Sequence, residues 1–447
     1  MAARKPEIVT PAHRPRARLL AWLGVAAIGL VVCAGRSYAA PDDPAAAEAQ
    51  KEKKLAAEID NILRDGKIPP DKAQFFDEYF TERALPQFLY ASGGDLHGAR
   101  DRFEYRFNKV AVGAARLRME ELTLSAFGKL LNDASLRSKF KSTAEWNSAR
   151  VSVLLTLGDL NEEKSAAGGP KPLAAALPIL LSFAKPAPKG AKVTGREGVD
   201  DALRDAAVVA LTRQAENATA ETRTKIRDAM LEIVGQREAQ PGHDARVNDY
   251  LRGRAAEILG LMRDPGPKNV VVTALDRIIS DPTESPNLRS HSAHALGGIE
   301  FPGGAAVDFK ALADHLGRVV ADVCKLEIDK AESQSLDFRA KRRLKTCVRE
   351  ALDGLGREGI RNGLLAGADK DQRVYIEKML KTLKTLDGAL DQQGDLAAAK
   401  LATPLKDLEG LLTPRAEAPK LTPARPDKPR ADEGAALIGS NVSGGTK

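Results

Sequence analysis

Apolar positions along this chain recur at helical spacing, about 3.6 residues apart, and seldom alternate in twos as strands do. In the segment LRSHSAHALGGIE, residues 288, 292, 295, 296 and 299 fall on one helical face as a Leu/Ser/Ala/Leu/Ile stripe. The same pattern returns without gaps in ARVSVLLTLG (149–158), LRDAAVVALT (203–212), LRGRAAEILG (251–260), LRSHSAHALG (288–297) and LKTCVREALD (344–353). Each begins with Leu or Ala, has a basic residue second, a small or β-branched residue fifth and Leu ninth. Amphipathic stretches precede four of them, at Leu173–Phe183, Thr222–Val234, Val270–Ile279 and Phe309–Val323. Breakers such as Pro241-Gly242, Pro265-Gly266-Pro267, Pro282 and Pro302-Gly303-Gly304 lie between. The spacing therefore predicts a helix hairpin recurring every 37 to 56 residues. The best strand candidate, Asn269-Val-Val-Val-Thr-Ala, runs on into a helical pattern, so the expected fold class is all-α.

Composition agrees with this. Aromatics make up 4% of the chain, and abundant Ala and Leu favour helices packed closely through small side chains. The repeated segments resemble the second helix of HEAT repeats, with its Leu/Val-Arg-x-x-Ala-x-x-Ala-Leu-Gly core. LRGRAAEILG and LRSHSAHALG match it well, LRDAAVVALT fairly, and the first and fifth segments loosely. The resemblance spans roughly residues 145–390 and implies an α-solenoid of stacked hairpins. It says little of function, because such folds serve many tasks. The spacing departs from a uniform array around 160–200 and 324–340.

Two slots in the repeat invite a chemical reading. Arg150, Arg204, Arg252, Arg289 and Lys345 share the second position, so stacking would align them as a ladder. The resemblance implies pairing with an acidic residue in the turn before the helix, a role for which Asp200, Asp201 and Asp249 are placed, with Asn287 a weaker substitute. The alternative is a stripe that binds an anion or a partner. His291 and His294 look like half of a metal site, but the equivalent positions elsewhere hold Ala206 and Val209, Arg254 and Glu257, and Cys347 and Glu350. A zinc site needs three or four supported ligands, and His97, His243 and His315 form no sequence cluster with the pair. No metal ligand is assigned.

The N-terminus reads as an address. A basic stretch ends at Arg18, an apolar run follows from Leu19 to Ala34, and Ser37-Tyr38-Ala39 offers a small-x-small cleavage site. The expectation is an exported protein of the periplasm or cell envelope. If the signal is uncleaved, residues 19–34 would be its membrane contact. Of the formal charge of +7, residues 1–39 carry +5, so the remainder is close to balanced. With no basic stripe interleaved with aromatics, no nucleic acid is expected as a partner. Export would leave Cys324 and Cys347 where a disulfide can persist, and a bridge there would contribute roughly 3 kcal/mol. Two buried thiols are the alternative.

Residues 1–39 are thus a signal or anchor, 40–66 a charged helical linker, 67–144 an aromatic-rich helical cap, 145–401 the repeat array and 402–447 a disordered tail rich in Pro, Ala and charge. Nine of the twenty aromatics lie between 70 and 107, and AQFFDEYFTERALPQF sets Phe75, Phe76, Tyr79 and Phe80 on one face. They form either a local core or a cap over the array's apolar end, or else a partner groove. The adjacent carboxylates Asp77/Glu78 and Glu120/Glu121 diverge around a helix and read as solvated faces. Catalytic signatures are missing: no GxSxG, HExxH, GxxxxGK[ST] or CxxCH. No catalytic or cofactor-binding residue is therefore assigned and no cofactor is expected. The expected role is a scaffold or adaptor that binds another macromolecule, a protein, in the envelope. A structural element tethered through the tail is the alternative, and an enzyme on a HEAT-like fold is the third.

Overall fold

The computed structural model describes residues 44–91, 95–162, 171–185, 197–239, 243–302, 306–331, 335–356, 362–391 and 396–414. The N-terminal signal-like segment and the chain from 415 onward lie outside these residues. The described chain is mostly helical. The first helices are α1 (Pro44–Asp65), α2 (Ala73–Tyr79), α3 (Leu85–Leu89), α4 (Asp95–Lys109) and α5 (Ala114–Asn132). There follow α6 (Thr143–Asp159), α7 (Leu177–Ala184), α8 (Glu197–Glu216), α9 (Ala220–Gly235), α10 (Ala245–Leu261), α11 (Val270–Ser280) and α12 (Pro286–Gly298). The last are α13 (Phe309–Lys330), α14 (Phe338–Leu355), α15 (Leu364–Gly367), α16 (Lys370–Leu390) and α17 (Ala399–Leu411). Two short strands, β1 (Ser335–Leu336) and β2 (Leu396–Ala397), pair antiparallel with Ser335 opposite Ala397. The Val-rich stretch after Asn269 is helical, as α11.

Side-chain caps start these helices where the sequence supplies Ser, Thr or Asp. Ser142, Thr219, Asp244, Ser285, Asp308, Asp337 and Asp369 each accept from a backbone N–H in the first turn of the following helix. The Asp369 cap is reciprocated by Gln372, a full capping box.

All five repeated segments form one row. α6 packs on α8, α8 on α10, α10 on α12, α12 on α14, and α14 on α16. The preceding helices flank them: α7 lies against α8, α9 against α10, α11 against α12 and α13 against α14, with neighbours in this second row also touching. The fifth position of the repeat is the centre of this packing, and Val153, Ala207, Ala255, Ser292 and Val348 are all fully buried. The irregular stretch around 324–340 is in part a longer helix, since α13 continues to Lys330.

The glycine that closes three of the segments marks where the next helix of the row crosses. A Cβ on Gly158 would lie 2.7 Å from the Ala210 Cα, on Gly260 2.4 Å from the Ala295 carbonyl oxygen, and on Gly297 2.1 Å from that of Asp353. No side chain fits between backbones that close.

Two sequence boundaries need correction. Residues 40–66 are predicted as a charged helical linker, and α1 is such a helix, yet it buries Ile59, Ile62 and Leu63 in the core; these three share one face of a helix whose other faces are charged. The tail was expected from 402, but α17 continues to Leu411 and buries Leu401, Leu405 and Leu408 at helical spacing. Beyond it the Thr413 N–H donates to the Asp314 carboxylate on α13 at 2.7 Å, and Arg318 donates to the Thr413 carbonyl. The Pro-rich composition obscured a three-leucine stripe that is long enough to dock.

Gly260→Ala is expected to lower stability by about 1–3 kcal/mol through overpacking. Gly128→Ala, in α5 with open space around it, should raise stability by up to about 1 kcal/mol through helix propensity. Urea midpoints followed by circular dichroism should therefore move in opposite directions.

Candidate functional site

The basic slot is an internal fastening. Arg150, Arg204, Arg252 and Arg289 are all buried. Three reach back to a carbonyl at or near the end of the preceding helix: Arg150 Nη2 to Leu131 at 2.9 Å, Arg252 Nε to Val234 at 3.0 Å and Arg289 Nε to Ile279 at 2.9 Å. A cation there also meets the negative end of the helix dipole. The arginines also reach forward, to groups 32 or 33 residues on: Arg204 to Gln236, Arg252 to Glu284 through two bonds of 2.7 Å, and Arg289 to Asp322 at 3.0 Å. Lys345 pairs with Asp391. The acids expected in the preceding turn play a lesser part, with Asp201 4.0 Å from Arg204 and Asp249 3.6 Å from Arg252. Asp200's side chain is outside those described, and Asn287 does not appear among the partners of Arg289. With their donors turned inward, these arginines do not form an open anion-binding stripe.

The paired carboxylates are likewise more engaged than expected. Arg118 donates through Nε to Asp77 at 2.8 Å and also binds Glu121, while Arg116 holds Glu120 at 2.8 Å. Asp77 is consequently held below the usual carboxylate range by its hydrogen bonds from Arg118, against the opposing effect of burial.

Cys324 and Cys347 are free, buried thiols on the neighbouring helices α13 and α14. Burial pushes both up to about 12, which leaves almost no thiolate at neutral pH and removes them as nucleophiles.

The histidine pair lies on the α12 side of the row, between acidic groups of both neighbours. His291 Nδ1 is 3.2 Å from Glu257 Oε1 on α10 and 3.4 Å from Glu350 Oε1 on α14. Arg254 on α10 lies 2.7 Å from the other oxygen of Glu257, and His294 on α12 is 3.3 Å from Asp353 on α14. Among the described residues no group of three or more His, Cys, Asp or Glu side chains is arranged to hold a metal ion. The pair instead joins three successive helices of the row. The Glu257 hydrogen bond raises the His291 pKa, helped by the charge of Glu350 and opposed by burial and by Arg254.

The most ligand-like feature is a cleft of about 1140 Å³ among the N-terminal helices. α1 contributes Leu63, the α2–α3 segment Tyr79, Phe80 and Phe88, and α4 Phe103 and Tyr105. The local sequence explains its shape. Pro86 has no N–H to continue an α-helical ladder, and Phe80–Ala84 takes up a π turn, with the Leu85 N–H donating to the Phe80 carbonyl. This turn lies in the wall of the cleft, and single π turns are frequent at functional sites. Behind it the rings of Phe76 and Phe80 sit 4.8 Å apart, and Phe88 stacks on Phe103 at 5.2 Å. Most of the aromatic stretch is thus local core, with two of its tyrosines left in the wall of the cleft. Phe76, Phe80, Phe88 and Phe107 are core, while Tyr79 and Tyr105 face the opening. Arg106 donates to the Tyr79 hydroxyl at 3.0 Å and lies 3.3 Å from Asp60, and Lys109 sits 4.4 Å from the centre of the Tyr105 ring. The sequence marks the aromatics and offers a groove as one of two readings, but gives no sign that the charged helix α1 forms one of its walls.

A second hollow of about 1160 Å³, between α14 and α16, is lined by Leu352, Leu365 and Leu380 but otherwise largely by charges of both signs, with no aromatic ring. Comparisons with protein-family models, with curated proteins and with solved structures find no match for this chain.

His291 is raised on folding, so its contribution to stability is complete below its unfolded value of about 6.5. It is lost as pH rises through the higher folded value. His291→Gln should flatten the fall in stability between slightly acidic and slightly alkaline pH, leaving the acidic limb of other groups in place. Urea midpoints of wild type and variant across that range provide the check.

Proposed function

We propose that the chain is an exported scaffold or adaptor, a HEAT-like α-solenoid, that binds a protein partner in the cell envelope. The observation that carries this reading is the order of packing: each repeated segment lies on the next along one row, flanked by its preceding helix. Hairpins added in this way give a long, firm surface suited to macromolecules. The aromatic cleft at the N-terminal end adds a place for anchoring side chains. Cleavage before Ala40 would deliver the chain across a bacterial-type inner membrane. No described helix is long and apolar enough to cross a bilayer.

Crosslinking capture in the native envelope tests the proposal, with the full chain and a version ending at Pro414. That end point keeps α17 and the Thr413 contacts, which a cut at 401 would destroy. A protein partner captured by both is the expected result. A partner lost on truncation would assign binding to the tail and make the helical part a spacer, and no partner with either would overturn the adaptor reading.

A further inference from the structure

We propose that the cleft bounded by α1, the π turn and α4 docks an acidic segment of a partner protein, one that carries apolar or aromatic side chains among its carboxylates. The proposal rests on the protein-binding reading above and names the chemistry of the partner.

Charge is the first argument. Six cations line the cleft, Lys53, Arg64, Arg83, Arg102, Arg106 and Lys109, against two carboxylates, Asp60 and Asp101. These cations are not all occupied. Among the described residues Lys53 meets no carboxylate, and Lys109 rests on the Tyr105 ring. Arg102 is 3.4 Å from Asp95 with both side chains largely in solvent, a pairing that a partner's carboxylate can replace at little cost. The lining thus carries four more cations than carboxylates, although Asp65 and Asp95 meet Arg64 and Arg102 from just outside it.

The floor is the second argument. Leu63, Phe80, Phe88 and Phe103 back the cleft as buried core, while Leu55, Ala56, Tyr79 and Ala84 present its half-buried apolar surface and Tyr105 stands 64% exposed at the rim. Tyrosine and arginine around a hydrophobic base are the residues that carry binding energy at protein interfaces. The volume, about 1140 Å³, is above the usual range for small-molecule pockets, roughly 300–1,000 Å³. It suits several side chains of one segment. A single-stranded nucleic acid fits less well: Tyr105 alone offers a broadly exposed ring, and Asp60 and Asp101 would oppose a continuous phosphate backbone.

The test uses the full chain and a fluorescein-labelled amphipathic peptide of Glu, Leu and Phe. One control peptide has Lys for every Glu, another has Ala for every Leu and Phe, and an oligothymidine is the nucleic-acid probe. Anisotropy should show binding of the acidic peptide that weakens with salt, and at least about tenfold weaker binding of both controls and of the oligothymidine. Arg102→Glu with Lys109→Glu, two exposed positions, should weaken the acidic peptide by a similar factor, as should Ala56→Trp, which fills the cleft. Circular dichroism confirms that the variants are folded. No binding of the acidic peptide, equal binding of either control or of the oligothymidine, or binding unchanged in both variants would overturn the proposal. Envelope capture separates this from the wider reading. A partner captured equally by wild type and the charge-reversed variant would refute the cleft alone, whereas peptide binding with no captured partner would refute the adaptor alone.

Discussion

Arg252 shows what the packing of this protein depends on. Its side chain is buried, and its guanidinium reaches back to the Val234 carbonyl at the end of α9 and forward to Glu284 in the loop before α12. One residue thereby fixes a hairpin internally and sets its register on the next. Arg289 repeats the arrangement with Ile279 and Asp322. A buried guanidinium that loses its carboxylate and carbonyl partners is costly, so leaving a repeat out of register is penalised where Arg252 and Arg289 make these bonds. Hydrophobic burial supplies most of the attraction between helices, while the arginines determine where along each other the helices settle.

The second constraint is distance. Glycines at the ends of the repeated segments let neighbouring backbones meet, and residues on three consecutive helices then come within reach of one another. The contacts of His291 with Glu257 and Glu350 follow from this approach. The N-terminal end is built differently. There large aromatic rings replace Ala and Gly, a π turn interrupts the helical ladder, and α1 closes over one side only. The closely packed row thus gives way at its N-terminal end to a roomier cleft lined mostly by cations and aromatic rings.

Much of this was legible in the sequence, and the failures have physical causes. The period of apolar residues, the breakers and the fifth-position residues located the hairpins and their buried faces. The basic slot was also visible, but its main partners were not. Glu284 and Asp322 lie more than thirty residues downstream, and a pairing between repeats leaves no local trace. The family resemblance pointed instead to Asp201 and Asp249, three residues away in sequence but farther in space than the downstream partners. In α1 a short apolar stripe was outnumbered by charge, and α17 runs into the Pro-rich stretch that follows it, so average composition concealed both. The outline of the cleft was not legible because its walls come from three separate elements. The aromatic stretch announced only that something large and apolar had to be covered.

The most direct test of the central claim, that buried arginines hold the repeats in register, is hydrogen exchange on Arg252→Met in the full chain. The substitution keeps an apolar stem but leaves the Glu284 carboxylate and the Val234 carbonyl without their donor. The account predicts a stability loss of about 3–5 kcal/mol. Protection should fall in two places far apart in sequence, the last turn of α9 and the turn that leads into α12. Exchange that changes only within α10, with stability close to wild type, would contradict it and leave apolar packing alone to set the register.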